Sequence, residues 1–511
     1  MLYLTVFFSG LTTLALELLA SRLLAPYFGT SNLVWAALIG LILLYLTAGY
    51  RLGGRWADRS PHPATMYRVL AWGAFLAGLI PFVARPILLP VAAAFDQMDI
   101  GVLPAAFAAV LILFSAPLIL LGMISPFAIR LALLDARRAG TVAGDIYALS
   151  TIGSFVGTFL PDLVFVPWIG TRATFLLFSG VLLLVSFLGL WRAAGPRALL
   201  PLGWMPLLWL ALLLTAARLP IKNTPGQIFE TESTYNYIQV LETPDGTRYL
   251  RLNEGQGIHS MYNPDRIAFG GTWEQFLAAP FFNPAPFPVE RVDSMAIIGL
   301  AAGTSARQAT AVFGPIPIDG YEIDPAIIAV GREYFGMTEP NLNAIPQDGR
   351  IGLAHSQRKY ALIGIDAYRP PYIPWHLTTR EFFETVRAHL EPGGAVAINV
   401  GRAPGDRRLI AALAGTMQAV FPTVFVMDVP GTFNSIIYAT AQPGSWEALA
   451  ENYALLEASD ADPLLLESIA RAWTYRQPTP PAETVFTDDR APIEWLTNAL
   501  ILRYVVGGSR E

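Results

Sequence analysis

The stretch 295-MAIIGLAAGTSARQATAVFGPIPIDGYEID-324 holds a short apolar run, a glycine turn, a helix-forming segment and a second run that closes on Glu-Ile-Asp. Apolar residues followed by Gly299 and Gly303 predict a buried strand that turns sharply into a helix, with IDGYEI as the next strand. The alternation continues downstream with a helix from Pro325, strand YALIGID, a helix from Thr379, strand AVAINV and a helix from Asp406. Such alternation predicts a doubly wound, mainly parallel Rossmann-like sheet with helices on both faces. Ligands of these sheets bind at the carboxyl ends of the strands, where Gly299, Glu322 and Asp366 all fall.

Working outward toward the N-terminus, the chemistry changes. The 511-residue chain is 54% hydrophobic and 14% charged, with a mean hydropathy of +0.46, far from soluble averages, so a membrane part is expected. Apolar runs recur at about 2–22, 33–50, 67–89, 102–122, 143–165, 173–192 and 199–217, each near the roughly 20 residues that cross a bilayer. An α-helical transmembrane bundle of about seven spans over 1–220 is the expectation, and the protein is expected to be a multi-pass membrane protein. The first run lacks a basic flank and precedes further spans, so it reads as a retained helix and not as a signal peptide. Residues 85–100, with Pro86, Pro90, Asp96 and Asp99, read as interfacial or re-entrant. Gly153 and Gly157 form a GxxxG pattern that lets helices approach closely, and Glu17, Arg22, Asp145 and Asp162 are expected inside the bundle or at helix ends.

Composition also narrows the partners. A net charge of −5 lacks the basic surface that nucleic-acid binding needs. Five scattered histidines and no cysteine predict no metal site.

From about Thr224 charge rises and the apolar runs stop. Residues 224–292, with ESTYNYIQVLETPDGTRYLRLNEGQGIHS, alternate as short strands around an Asp-Gly turn and predict a small antiparallel β subdomain; 293–511 form the Rossmann-like domain. Within it, Gly299 and Gly303 let backbone approach a ligand, Glu322 stands where a carboxylate can grip ribose hydroxyls, and Asp366 is a candidate general base. Asp348-Gly349 reads either as an acceptor for an adenine amino group or as a plain turn.

The run IIGLAAG…YEIDPAIIAVGREYF…QDGR…YALIGIDAYRPPYIPWHLTTREFFETVRAHLEPGGAVAINV, with FETESTYNYIQV and YLRLNEGQGIHS, resembles spermidine synthase, the polyamine aminopropyltransferase family. LELLASRLLAPYFGTSNLVW and TDDRAPIEWL are similar to the membrane-fused form of that family. The resemblance implies aminopropyl transfer from decarboxylated S-adenosylmethionine to a polyamine acceptor such as putrescine, leaving methylthioadenosine, with no tightly bound cofactor. It implies Asp366 as base, Glu322 at ribose, Asp348 and Gly349 on the adenine side, Pro374 over the adenosine, and Asn236 where a glutamine usually touches the nucleoside. The implied partners are a small-molecule amine and the lipid bilayer, with a homodimer as an admitted assembly.

Three positions depart from that pattern. Ala302 stands where an acid normally holds the donor's ammonium, Arg369 replaces the second acid of the Asp-x-x-Asp-Pro loop, and Thr272 and Trp273 replace a Tyr-His pair. Asp488 and Asp489 are candidates to restore negative charge at the amine site. The departures keep two alternatives open: another S-adenosylmethionine-type transferase, or a transporter or sensor whose soluble domain binds nucleoside or polyamine without chemistry. Arg51, Arg55, Arg59, Arg68, Arg137, Arg138, Arg192 and Arg197 put the N-terminus inside by the positive-inside rule. A cytosolic donor instead asks for a cytoplasmic soluble domain, which is the expectation adopted.

Overall fold

The computed structural model describes residues 1–28, 32–97, 102–133, 136–216, 220–253, 255, 257–368, 372–403 and 405–499. Its contacts divide the chain into two compact units, one of 1–224 with 230–237 and 253–255, the other of 225–229, 238–252 and 256–511.

The first unit is helical: α1 (Leu2–Phe28), α2 (Asn32–Arg59), α3 (Pro63–Gln97), α4 (Val102–Gly122), α5 (Ile124–Ala132), α6 (Ala139–Leu160), α7 (Val166–Ala194) and α8 (Trp204–Ala216). Among the described residues five helical stretches are long and apolar enough to cross a membrane, or six with the bent pair Pro196–Leu202 and Trp204–Thr215. One of the five runs unbroken by length from Ala139 to Ala194, but Gly170, at φ 75°, interrupts it. Residues 85–97 are helical: α3 continues through Pro81, Pro86 and Pro90 to Gln97, past the apolar span that ends at Leu88. A proline removes one hydrogen bond from a helix, and in apolar helices neighbouring segments and local adjustment absorb that loss. Asp99 lies outside the described residues.

Small residues set the helix spacing. A Cβ on Gly153 would meet the Phe7 carbonyl at 2.1 Å, one on Gly157 the Leu11 carbonyl at 2.1 Å, and one on Gly10 the Ser150 carbonyl at 2.2 Å. The backbones of α1 and α6 therefore touch, and Ser154 Oγ donates to the Gly10 carbonyl at 3.2 Å. Of the expected polar groups, Arg22 and Asp162 form an ion pair at 2.5 Å.

Next along the chain is a small sheet in the order β1 (Gln227–Glu232), β2 (Tyr237–Glu242), β3 (Arg248–Leu252), β4 (Ser260–Tyr262). β3 is antiparallel to both β2 and β4. Next come α9 (Thr272–Gln275), β5 (Met295–Ile298), α10 (Thr304–Phe313), β6 (Ile318–Glu322), α11 (Pro325–Tyr334), β7 (Leu342–Pro346), α12 (Gly349–His355), β8 (Tyr360–Ile365), α13 (Arg380–Ala388) and β9 (Leu390–Gly401). α14 (Arg408–Gln418), β10 (Thr423–Asp428), β11 (Asn434–Thr440), α15 (Trp446–Ala458), α16 (Pro463–Thr474) and β12 (Arg476–Gln477) complete it. The large sheet has the order β12-β10-β11-β9-β8-β5-β6-β7, parallel from β9 to β7, with β11 antiparallel to β9. It is a helix-flanked α/β sheet of the expected class.

The strands are apolar without alternation because both faces are covered. Met295 and Ile297 pack into one core with Phe276 and Phe282. Ala296 and Ile298 pack into the opposite core with Phe382 and Phe383. The chain leaves β5 toward β6 on one side and returns to β8 on the other, so the crevice of such a sheet opens between β5 and β8.

Candidate active site

Three adjacent strand ends build the site. After β5, Gly299 has φ 88°, and a Cβ there would lie 2.6 Å from the Asp366 carbonyl oxygen and the Ala367 nitrogen. The turn can therefore press against the end of β8 only with glycine at this position. Gly303, at φ 86°, precedes α10, and its missing Cβ leaves room for Met337 Cγ, which would lie 2.6 Å away. Between them Ala301 takes φ 48°, a left-handed conformation that costs a residue with a Cβ roughly 1–2 kcal/mol.

Glu322 holds that turn. Its Oε2 accepts from the Ala301 N–H at 2.9 Å and its Oε1 from the Asp324 N–H at 3.1 Å. The side chain is buried, and burial pushes its carboxyl up to about 7 against the lowering effect of those backbone donors. Each oxygen keeps a second lone pair, so two further donors, such as vicinal hydroxyls, can still be accepted.

Asp366 follows β8, half-buried. Its Oδ1 accepts from Asn399 Nδ2 at 2.8 Å, and Asn399 Oδ1 accepts in turn from Asn434 Nδ2 at 2.9 Å. Tyr368 adds its hydroxyl to the Asn399 carbonyl at 3.1 Å. Burial pushes the Asp366 carboxyl up to about 7, with the Asn399 hydrogen bond opposing. A carboxylate of that pKa, with one oxygen fixed and the other uncommitted to Asn399, is suited to take a proton near neutral pH. Sequence reading missed Asn399 and Asn434. The signal for the first was an asparagine inside the apolar run AVAINV.

Asp348 caps α12. Its Oδ1 accepts from the N–H groups of Arg350 and Ile351, both at 3.0 Å, and its Oδ2 meets His376 Nε2 at 2.9 Å. The His376 hydrogen bond leads in holding this carboxyl below the usual carboxylate range. Gly349 is required for space, since a Cβ would lie 2.4 Å from Ile298 Cγ2. Pro374 precedes the 3-10 turn Trp375–Leu377 that carries His376. Asp488 Oδ1 and Oδ2 accept from Arg350 Nη1 and Nη2 at 2.8 and 2.6 Å, and Thr379 Oγ1 donates to it at 2.7 Å. Its charge is thus balanced by a guanidinium, which pulls the carboxyl down. Asp489 is exposed in the turn of the Thr487–Arg490 bridge.

The departures have distinct surroundings. Ala302 is buried among Ile238, Val240, Leu250 and Val330, its N–H donates to Ser260 Oγ at 2.9 Å, and its Cα would lie 3.1 Å from a Cβ on Gly331. An aspartate here would enter an apolar cluster. Trp273 is buried in α9 beside Glu274, whose carboxylate accepts from the N–H groups of Phe269 and Gly270. Asn236 belongs to the first unit, where its Oδ1 accepts from Asn253 Nδ2 at 3.0 Å. Arg369 lies outside the described residues.

A glycine turn, a buried acid on the next strand end and a second acid across the switch point compose the candidate site of a helix-flanked α/β unit. No family model matches the chain. It is a homologue of proteins named polyamine aminopropyltransferase. It is 33% identical over 284 residues to the "Probable polyamine aminopropyl transferase" of Bifidobacterium longum, covering 52% of this chain and 61% of that protein. It is 29% identical over 216 residues to the "Polyamine aminopropyltransferase" of Vibrio vulnificus, covering 40% of this chain and 68% of that protein. The match therefore spans under two thirds of the Bifidobacterium protein. Among solved structures, a probable spermidine synthase from Corynebacterium glutamicum aligns with a TM-score of 0.39 at 19% identity, covering 46% of this chain and 88% of that one.

Proposed function

We propose that the chain is a membrane-anchored aminopropyltransferase that moves an aminopropyl group from decarboxylated S-adenosylmethionine to an amine such as putrescine. The observation that carries this reading is Asp366, with its carboxyl pushed up to about 7 and held by Asn399 beside the glycine turn. In the reaction the acceptor's neutral nitrogen forms a bond to the propyl carbon next to the sulfonium. The C–S bond breaks, its electron pair stays on sulfur, and methylthioadenosine leaves. The nitrogen's extra proton passes to Asp366 and then to solvent. Glu322 holds the nucleoside, with Asp348, Gly349 and Pro374 as further contacts. The reading puts the second unit in the cytoplasm, where the donor is made. Purified protein incubated with the donor and a panel of amines should release methylthioadenosine, read by mass spectrometry. No nucleoside product with any amine would overturn it.

Ala302 favours a second reading. Buried in an apolar cluster, it offers no carboxylate for the donor's ammonium, which suits another S-adenosylmethionine-type transferase. Release of S-adenosylhomocysteine from S-adenosylmethionine, in place of methylthioadenosine, would decide for it.

A further inference from the structure

Three arginines of the first unit converge on one cleft. Arg22 on α1, Arg85 on α3 and Arg172 on α7 line it together with Tyr27, Thr171 and Glu232. Two of the cations are already engaged. Arg22 is paired with Asp162 and donates to the carbonyls of Ser233 and Thr234. Arg172 donates to the Pro220 carbonyl at 2.8 Å and feels Glu230 and Glu232. The acids are engaged as well: Glu232 accepts from the Thr171 N–H at 2.9 Å and hydroxyl at 2.7 Å, and Glu230 accepts from the Ile221 N–H and the Tyr237 hydroxyl. Arg85 makes no hydrogen bond or ion pair among the described residues, and its charge faces that of Arg172. Glu230 and Glu232 offset the charge of Arg172 and Asp162 that of Arg22, which leaves Arg85 as the cation of the cleft without an ion-pair partner among the described residues and the group that an entering anion would meet.

Depth identifies the anion. From Leu2 to Arg22, from Pro63 to Arg85 and from Arg172 to Ala194 each helix runs about 20 residues, roughly 30 Å of helix and so one hydrocarbon thickness. All three arginines therefore lie at headgroup level on one side of the bundle. Basic clefts between helices at that level hold lipid phosphates. Guanidinium groups match the paired oxygens of a phosphate. The free space admits about one or two water-sized groups, so one or two phosphate oxygens can enter while the rest of the ligand stays outside.

We infer that the cleft between α1, α3 and α7 binds a phosphate-bearing anion through Arg85 and Arg172, with an anionic phospholipid headgroup as the source its depth favours. The test is native mass spectrometry of the full-length protein in neutral detergent, titrated with dioleoylphosphatidylglycerol, dioleoylphosphatidylcholine or inorganic phosphate. Phosphatidylglycerol should be retained in preference to phosphatidylcholine. Arg85→Gln should weaken its retention about tenfold, the size expected for one lost charged hydrogen bond. Arg85→Lys, which keeps the charge, should lose less. Arg130→Gln, which breaks the half-exposed pair with Asp58, should behave as the parent. Retention of inorganic phosphate alone, lost in Arg85→Gln, would support the site and make a free anion its ligand. Equal retention of both lipids with no phosphate binding, or phosphatidylglycerol retention unchanged in Arg85→Gln, would overturn the inference. If Arg85→Gln does not purify as folded protein, the parent and Arg85→Lys titrations decide it.

Discussion

Two carboxyls near neutrality lie at the ends of the strands that flank β5, and their partners separate their roles. Glu322 has both oxygens on backbone N–H groups of its own fold, so it is built as a fixed acceptor. Asp366 has one oxygen on Asn399, and in the proposed reaction the other takes the proton. Asp366→Asn should lower turnover on the order of 10²-fold, typical of a lost general base, while methylthioadenosine affinity changes little. Glu322→Ala should lose roughly 1.5–3 kcal/mol of methylthioadenosine binding by calorimetry, the range for hydrogen bonds to a charged group; unchanged affinity would remove Glu322 from the nucleoside site. The pH dependence has a definite sign. As a base, Asp366 must be ionised, so turnover should rise with pH through about 7. Asn399 favours the ionised form, so Asn399→Ala should move that limb to higher pH; a fall in rate with no shift would make Asn399 a packing residue only. For stability the sign is opposite, because a raised folded pKa means protons held by the native state. The contribution is whole below the unfolded carboxylate pKa near 4 and is lost as pH rises through about 7.

At the scale of elements, what was legible in the sequence depended on whether the signal was local. The strand–turn–helix pattern around Gly299 and the strand-end acids Glu322 and Asp366 are written in contiguous residues. Asn399 and Asn434 meet because β9 and β11 pair antiparallel, a juxtaposition no local pattern encodes. The burial of Ala302 likewise follows from packing against the small sheet, so a motif comparison showed the missing acid without showing the apolar cluster that occupies its surroundings. In the helical unit, apolar runs marked the helices but not the end of α3, because Pro86 and Pro90 read as breakers in a setting that tolerates them. The GxxxG pattern, weak on its own, proves structural through distances. Gly157→Val would drive a side chain into the Leu11 carbonyl and should lower the thermal midpoint in detergent by roughly 2–10 °C, from an overpacking penalty of about 1–3 kcal/mol. Gly144 has open space around its Cβ position on the same helix, and Gly144→Ala should leave the midpoint unchanged or raise it. Equal midpoints for both variants would mean that α1 and α6 are not held by backbone contact.

For the whole molecule, the side of the membrane decides whether the proposed chemistry has a donor. Gly170 breaks the long helix into two segments; a straight helix of 56 residues would run roughly 84 Å. The following bent pair leaves the Ala194 end of α7. The chain then reaches Ile221 and Pro220, which bond Tyr27 and Arg172 near the opposite end. Counting both halves of the Ala139–Ala194 stretch and the bent pair as passes puts residues 220–224 and 230–237 opposite the N-terminus. Two charge arguments then oppose each other. The loops with Arg51, Arg55, Arg59, Arg68, Arg137, Arg138, Arg192 and Arg197 lie on the N-terminal side and would draw it inward. Against this, Arg22, Arg85 and Arg172 lie at the other ends of their helices and would draw that side inward. A sulfonium donor made in the cytosol requires the second arrangement. A reporter fused after Glu511 should therefore be active only in the cytoplasm, and one fused before Leu2 only outside. The reverse pattern would leave the second unit without its donor and would end the aminopropyltransferase reading. The lipid site at Arg85 would survive that result, with the leaflet from which it draws its phosphate exchanged.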